Sequence, residues 1–596
     1  MKDLISHQLV KYLEDRGVEY LFGLCGHTNI AVLTALEKSS VKFVNTRHEQ
    51  VAAHAADGYA RAKKTTAVML SHLGPGLTNA STGVANAALD SIPLVVIAGD
   101  VPSHYYGKHP HQEVNLHADA SQSEMYRPFC KRVWRVERPD LFPEILEKAF
   151  QLAESGRPGP VLVSVPMDIF SKEVDVELFA KLKRHTKKLH TPSIGDDVAT
   201  QIIEALVAAK RPQLHVGGGV VLADATAELE EFVNHMSLPV SHSLMGKGVL
   251  PDDHPFILGM TGFWGTRFIN DKCLNADVIL GLGTRFAEAD CSSWENEYTF
   301  DFSKTQLLHI DIDPSEIGRN YPVQIGAVAD LKQALKVLNR VAKQLYPAGF
   351  KNEALKAELA ANRSTFAAGL VAAQQSDAFP MRPERILADA RAVLPRDVII
   401  TTDVGRNKNG VGQQFPIYTP GSILTPGGFA TMGFGAPAAI GAKLACPDRV
   451  VVSLVGDGGF GQNPAMLATA VESGVPVIWV IMNNCAFGTI AGLQLAHYGT
   501  TVGTLFFNQA GEPFQADFAA IARAYGAEGV KVTSAAEFKP ALERAIRSNK
   551  PFVIDVSMQN APVETAGHWN IMDIYSPGKK VHHADTSAVA AAGAKK

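Results

Sequence analysis

The sequence predicts an α/β protein built from three doubly wound parallel-sheet domains. Three observations carry that expectation. The chain has 596 residues, too many for one hydrophobic core. Short apolar runs recur along it, each closing in a glycine-rich or polar turn and followed by a helix-period stretch. Its 50 glycines suit many tight strand-to-helix turns. Sheets of this kind bind ligands beyond the carboxyl ends of their strands, so polar clusters at those ends are the candidate functional residues.

Composition narrows the partners. A formal net charge of −4 gives no reason to expect nucleic acid or a membrane surface. Cys25, Cys130, Cys273, Cys291, Cys446 and Cys485 are scattered with no CxxC pair. That pattern argues against a disulfide framework or a zinc site and fits a reducing compartment. The first 17 residues, MKDLISHQLVKYLEDRG, read as a charged amphipathic helix rather than a signal peptide. No run is long and apolar enough to span a bilayer. A cytoplasmic protein is expected.

The most informative stretch is residues 450–484. An apolar run at 450–455 ends in Gly456, Asp457, Gly458 and Gly459. A helix-period stretch follows at 464–473, and a second apolar run at 476–482 ends in Asn483 and Asn484. This is a βαβ unit of a parallel sheet. It places a carboxylate, Asp457, and an amide oxygen, Asn484, at the carboxyl ends of neighbouring strands. The glycines let backbone N–H groups approach an anion closely. A hard cation such as Mg²⁺ takes a few protein oxygens and completes its octahedron with phosphate oxygens and water. The stretch therefore reads as a Mg²⁺-diphosphate site. An ordinary buried βαβ unit is the plainer alternative.

The combination of Gly-Asp-Gly, an intervening helix and Asn-Asn resembles the thiamine-diphosphate (ThDP) signature of the acetolactate synthase, pyruvate oxidase and benzoylformate decarboxylase superfamily. The acetolactate synthase large subunit is the nearest pattern, over about residues 4–556. The resemblance implies Asp457, Asn484 and the Ala486 carbonyl as metal ligands. It implies cofactor contacts from Gly456, Gly458, Gly459, Phe487, Gly488 and Thr489. In GGFATMGFGAPAA, from Gly427, it assigns Gly428 and Ala430 to the cofactor and makes Met432 the apolar wedge that bends ThDP. A core methionine is the commoner role. The turn at 403–408 matches a family turn that contacts the diphosphate, which implies Gly405, Arg406 and Asn407 beside it, where basic side chains suit an anion.

The first domain is expected at 1–170. There, RHEQVAAHAADGYARA, from Arg47, matches the acetolactate synthase pattern and assigns Glu49 as the carboxylate that hydrogen-bonds the aminopyrimidine ring. A first-turn glutamate favoured by the helix dipole is the structural alternative. The GPGLTN loop, with Pro75 and Asn79, packs beside the cofactor in the family, as does Gly26. Two residues depart from that pattern, His27 and His72. A histidine facing the cofactor can shuttle a proton to or from a substrate oxygen; each can equally hydrogen-bond loop backbone. HPHQE, from His109, resembles the family's Phe-Gln-Glu stretch, which implies that Gln112 reaches toward the substrate side, with His111 replacing the usual Phe.

A polar linker at 171–197 leads to a central domain at 198–345. Its strand-glycine turns (LHVGGGVV, VILGLGTRF, LLHIDID) suggest a Rossmann-like fold without a GxGxxG. In the family this domain holds FAD, ADP or nothing, and Arg285 and Asp311 are the residues that would meet a nucleotide. A helical connector at 347–381 leads to the third domain, 383–560, in which residues 516–525 and 551–556 are expected to complete the sheet. A flexible tail, 561–596, carries His582 and His583. Leu493 stands where the family has an acceptor-pocket Trp.

The implied function is ThDP- and Mg²⁺-dependent decarboxylation of a 2-oxo acid, with transfer of the acyl anion equivalent to a carbonyl acceptor. A non-oxidative 2-oxo acid decarboxylase and a benzaldehyde lyase-type C–C lyase are the alternatives that His27 and His72 keep open. A non-catalytic nucleotide-binding subunit is the alternative from a different class. The resemblance also implies a homodimer or homotetramer, with Glu49 from one subunit and Asp457 and Asn484 from another.

Overall fold

The computed structural model describes residues 1–115, 121–182, 191–514, 516–561, 563 and 565–575. Three six-stranded sheets, all with parallel pairings, dominate it. A two-stranded antiparallel ribbon joins β1 (Lys2–Leu4) to β8 (Glu173–Asp175). The first sheet holds β2 (Tyr20–Gly23), β3 (Lys42–Asn45), β4 (Ala67–Ser71), β5 (Leu94–Asp100), β6 (Arg132–Arg135) and β7 (Val161–Pro166), ordered β3-β2-β4-β5-β7-β6. The second holds β9 (Pro212–Val216), β10 (Val240–His242), β11 (Ile257–Met260), β12 (Val278–Leu282), β13 (Gln306–Asp311) and β14 (Ile325–Val328), ordered β11-β10-β9-β12-β13-β14. The third holds β15 (Ile399–Thr402), β16 (Ile423–Leu424), β17 (Val451–Gly456), β18 (Ile478–Asn483), β19 (Glu528–Val532) and β20 (Phe552–Ser557), ordered β16-β15-β17-β18-β20-β19. Helices cover both faces, which is why the central strands β4, β5, β7, β18 and β20 are buried at every position.

Several local expectations change. Part of the 171–197 linker is structured, because β8 pairs with β1 and Val176–Leu182 forms a helix whose Phe179 is buried. The GPGLTN stretch is helical: one helix runs Gly74–Leu89, with Pro75 in its first turn, where a missing N–H costs nothing. Residues 516–525 add no strand, since Phe518–Ala524 is a helix; β19 and β20 complete the third sheet instead. The near end of the expected flexible tail is packed. Trp569 contacts Phe263 and Trp264, His568 stacks on Tyr298 at 4.7 Å, and Asn570 N–H donates to Ser293 Oγ. His582 and His583 lie outside the described residues.

The first and third sheets are joined through two helices, Glu49–Lys63 and Gly435–Ala445. Their crossing is lined by Ala52, Ala55, Ala56, Ala438 and Ala442, all buried. A Cβ on Gly58 would lie 2.1 Å from the Ala438 carbonyl oxygen, and one on Gly441 would lie 1.8 Å from the Ala55 carbonyl oxygen. Glycine is therefore required by the close approach of two backbones. Gly441→Ala gains up to about 1 kcal/mol of helix propensity. The clash with backbone costs about 1–3 kcal/mol and prevails. A lower Tm by calorimetry is the expected result.

One buried carboxyl gives a pH prediction. Asp290 is pushed up to about 6 by burial, against the opposing pull of the Leu244 N–H and of Arg285 and Lys408. A raised folded pKa means the native state holds the proton more tightly than the unfolded chain. The resulting stability is fully present below the unfolded value, 3.8, and is lost as pH rises through about 6. Asp290→Asn retains an acceptor for Leu244 and removes the buried charge. The variant should gain about 1–3 kcal/mol at pH 8 and nothing at pH 4, read as Tm against pH.

Candidate active site

At the carboxyl end of the third sheet, β17 ends at Gly456 and Asp457 opens a one-turn helix, Asp457–Phe460. The Asp457 carboxyl is pushed up to about 6 by burial, opposed by the N–H groups of Gly458, Ala486 and Cys485. β18 ends at Asn483, and Cys485 follows in the left-handed region, φ 53°. That turn brings the Ala486 carbonyl back toward Asp457. One atom of the Asn484 amide stands 3.1 Å from Asp457 Oδ1 and 3.1 Å from the Ala486 carbonyl oxygen. In the orientation of the structure that atom is Oδ1, while Nδ2 donates to Asn560 Oδ1 at 3.1 Å. In that orientation the amide oxygen stands 3.1 Å from each of two other oxygens. Adjacent ligands of an octahedral Mg²⁺ at 2.0–2.1 Å stand about 3 Å apart, so this spacing fits that ion. The donor set is a carboxylate, an amide and a carbonyl, the oxygen chemistry a hard cation takes. Among the described residues no group of three or more His, Cys, Asp or Glu side chains could hold a metal.

An anion site adjoins it. Arg406 starts the helix Arg406–Gln414 and is mostly buried, with no carboxylate within ion-pair distance among the described residues. Burial lowers its pKa to about 10. Its Nη2 donates to the Gly488 carbonyl at 3.3 Å, and its Nη1 is buried without a partner. The Thr489 hydroxyl is likewise buried and unpartnered. Thr489 lies in the first turn of the helix Gly488–Tyr498, which lacks a side-chain cap. An unpaired buried cation is costly. With a free hydroxyl and a helix N-terminus beside it, the cluster is poised for an anion such as a diphosphate.

Glycines keep this space open. A Cβ on Gly458 would lie 2.7 Å from the Phe487 ring and 3.2 Å from Met432 Cε. Met432 therefore sits against the Asp457 turn. Gly405, at φ 107°, adopts a backbone that side chains avoid. Ala430 takes a left-handed φ of 50°. Asn407 differs from expectation: its amide donates to the Leu454 carbonyl at 2.8 Å, turned into the sheet and away from the site. Gly428 N–H is also committed, to Asp90 Oδ1 at 2.8 Å.

Two buried aspartates that the sequence analysis did not single out hold these loops. Asp403 accepts N–H bonds from Val404, Gly433 and Gly435, tying the Gly405 turn to the Met432 loop. Asp90, from the first domain, accepts from Gly427, Gly428 and Arg61. Asp403 had a legible signal, an aspartate ending a strand ahead of a glycine turn. Asp90 had none, because the loop it holds, at Gly427 and Gly428, lies more than 300 residues away.

In the first domain, Glu49 begins its helix after His48, whose ring caps Gln50 N–H. Its side chain is buried, and Oε2 accepts from Asn79 Nδ2 at 3.0 Å. A Cβ on Gly76 would lie 3.3 Å from Oε1. These contacts stay within the first domain, and among the described residues no hydrogen bond joins Glu49 to Asp457, Asn484 or Met432. Asn29 Oδ1 accepts the Gly26 N–H at 3.0 Å.

The histidines fall into two kinds. His72 is buried with both ring nitrogens occupied: Nε2 lies 2.8 Å from Gln112 Oε1 and Nδ1 lies 2.7 Å from Thr28 Oγ1. The amide oxygen can only accept, so Nε2 donates to it, and Nδ1 pairs with the threonine hydroxyl. Those two contacts fix the orientation of the His72 ring. His27 is exposed and packs edge-on against it at 4.7 Å, with His111 at 6.3 Å. Burial, together with those two neighbours, lowers the His27 pKa below the ordinary value of 6.5.

The central glycines have a structural use. Gly217 N–H donates to Leu282 O and Gly219 N–H to Gly283 O, while a Cβ on Gly217 would strike Gly283 O at 2.1 Å. These amides close one turn on another rather than facing outward to a phosphate. Arg285 Nη2 lies 3.0 Å from where a Gly428 Cβ would sit, beside the third domain's loop. Asp311, at the end of β13, is buried and accepts the Asp313 N–H.

Sequence comparison decides the family. Three family models match in order: the N-terminal TPP binding domain of thiamine pyrophosphate enzymes at residues 4–122, the central domain at 199–338 and the C-terminal TPP binding domain at 403–556. The "Probable acetolactate synthase large subunit" of Methanococcus aeolicus is 34% identical across 93% of this chain and 92% of its own. The chain belongs to the acetolactate synthase large-subunit family. The "Acetolactate synthase isozyme 3 large subunit" of Escherichia coli K12 is 32% identical over 93% of this chain and 95% of its own. "Acetolactate synthase, chloroplastic" of Arabidopsis thaliana is 33% identical over 92% and 80%. Membership makes this chain a ThDP-dependent, acetolactate synthase-like enzyme rather than a non-catalytic subunit. No helix among the described residues is long and apolar enough to cross a membrane.

Proposed function

We propose that the enzyme decarboxylates a 2-oxo acid and joins the two-electron acyl fragment to a second carbonyl compound, using ThDP held by Mg²⁺. The 3.1 Å spacing of Asn484 Oδ1 from both Asp457 Oδ1 and Ala486 O, which suits a cation, carries the reading. Bound ThDP supplies the electron sink for the carbanion left when CO₂ departs. The three oxygens hold the cation, and Arg406 with Thr489 takes the diphosphate charge. Gly405, Gly456, Gly458, Gly459, Gly488 and Ala430 let backbone approach it, and Met432 with Phe487 supplies an apolar wall. Asn79 orients the Glu49 carboxylate, which holds a proton at Oε against a ring nitrogen of the cofactor. Gln112 and Thr28 fix His72, which in turn positions His27. His27 moves the proton to or from a substrate oxygen.

Glu49 and Asp457 belong to different subunits in this reading, with a homodimer as the smallest active unit. Phe429, Phe487 and Ile490 are 42%, 37% and 50% exposed around the cofactor loops, an apolar rim suited to cover by a second copy. The ranges 1–170, 198–345 and 383–560 serve as the three domains. The His27–His72 pair favours one second reading, a decarboxylase or lyase outcome, because a placed proton donor can quench the carbanion before a second carbonyl arrives. Product analysis with pyruvate separates them. Acetolactate with CO₂ supports the ligase, acetaldehyde supports the decarboxylase, and no CO₂ from a panel of 2-oxo acids defeats both. A flavin absorbance spectrum of the purified enzyme tests for FAD in the central domain.

A further inference from the structure

Residues 502–506 cross back over the turn that carries Ala486. Phe487 N–H donates to Thr504 O at 2.9 Å and Phe506 N–H donates to Cys485 O at 2.8 Å, an antiparallel pairing of Ala486 with Leu505. The Phe506 ring packs edge-on against Phe487 at 4.9 Å. This pairing decides where Ala486 points. In a trans peptide the C=O and N–H face opposite ways, and the peptides on both sides of Ala486 are trans. The Phe487 N–H is turned to Thr504, so the Ala486 C=O is turned away from it. The Cys485 C=O is turned to Phe506, so the Ala486 N–H is turned away as well. Both groups face the Asp457–Asn484 side. The N–H bonds the Asp457 carboxyl, and the carbonyl oxygen stands 3.1 Å from the Asn484 amide.

One side chain, Gln494, ties residues 502–504 to the helix that follows the turn, Gly488–Tyr498. Its Oε1 accepts from Val502 N–H at 3.1 Å and from Thr504 Oγ1 at 2.7 Å, and its Nε2 donates to Val502 O at 3.2 Å. A backbone N–H only donates and a backbone C=O only accepts, so these partners allow the amide a single orientation. We propose that Gln494 is a positioning residue: by clamping 502–504 it keeps the pairing with 485–487 closed and the Ala486 carbonyl aimed at the cation. The inference rests on the Mg²⁺-ThDP reading of the site and names a residue that reading does not use. The turn needs a brace of this kind. Cys485 holds a left-handed φ of 53°, a backbone that a non-glycine residue keeps only when its surroundings enforce it.

Metal affinity and amide exchange together test this. Mg²⁺ is titrated calorimetrically into metal-stripped protein with saturating ThDP, and hydrogen exchange is followed by mass spectrometry across 485–487 and 502–506. Gln494→Met keeps the length of the side chain and removes its bonds to 502–504. The Mg²⁺ affinity should fall about fivefold to tenfold and exchange in both segments should quicken, with the apoprotein Tm unchanged. Gln494→Glu keeps both acceptor bonds, so its affinity should stay within about threefold of wild type. Thr504→Val removes one bond of the clamp; it should weaken Mg²⁺ binding in the wild type and add little to Gln494→Met. A role in general stability would lower Tm and leave the Mg²⁺ affinity of the folded protein alone. Wild-type affinity in folded Gln494→Met, a Gln494→Glu as weak as Gln494→Met, or equal losses from Thr504→Val in both backgrounds would overturn the proposal alone. A wild type that binds ThDP with no dependence on Mg²⁺ would defeat the cation reading and the proposal with it.

Discussion

Glu49→Gln should lower turnover by about 10²–10⁴-fold while leaving the fold and ThDP binding intact. The substitution conserves size and can still pair with Asn79, whose amide lies 3.0 Å from Glu49 Oε2. What it removes is the capacity to hold a proton against the cofactor ring. The side chain is 4% exposed, so water does not substitute for it. The loss should fall on kcat and kcat/KM together, because the interaction matters most as the proton moves. The measurement is steady-state CO₂ release beside a calorimetric ThDP titration. Unchanged turnover in a folded variant would return Glu49 to the role of a first-turn residue.

The second large effect is expected at Asp457. Asp457→Ala removes the only carboxylate of the three oxygens, leaving two neutral donors. Mg²⁺-dependent ThDP binding should weaken by at least about 100-fold, and activity should vanish at micromolar ThDP. Burial already disfavours the charged carboxyl, which is held near 6, so removing it should not destabilise the apoprotein above that pH. Circular dichroism and Tm of the apo form serve as the control. Intact Mg²⁺-dependent ThDP binding in Asp457→Ala would exclude that carboxylate as a ligand.

The parts of this site that follow local chain chemistry were legible in the sequence. Strand, glycine turn, helix and strand placed Asp457 and Asn484 on neighbouring strands, and β17 and β18 do pair from Val452↔Ile478 to Gly456↔Met482. The three-domain α/β class followed from repetition of one pattern. Misread segments were those decided by tertiary contact. The GPGLTN stretch has turn composition, yet Gly74 sits beneath the Gln112 carbonyl, where a Cβ would come within 2.0 Å, and the helix extends through it. Asn407 lies in the expected turn, but its amide satisfies a strand carbonyl. The division of labour between His27 and His72 depends on Thr28 and Gln112 meeting one ring, which residue type alone does not reveal. The reach of Asp90 from the first domain to Gly427 is likewise a property of domain packing.

One surface of the third sheet is expected to hold a cation and a diphosphate together. Calorimetric titration of ThDP into metal-stripped enzyme, with and without Mg²⁺, tests it most directly. Saturable binding that requires Mg²⁺ and is weakened by Arg406→Ala is the predicted result. ThDP binding of equal affinity in excess chelator, or unaltered by Arg406→Ala, would contradict it.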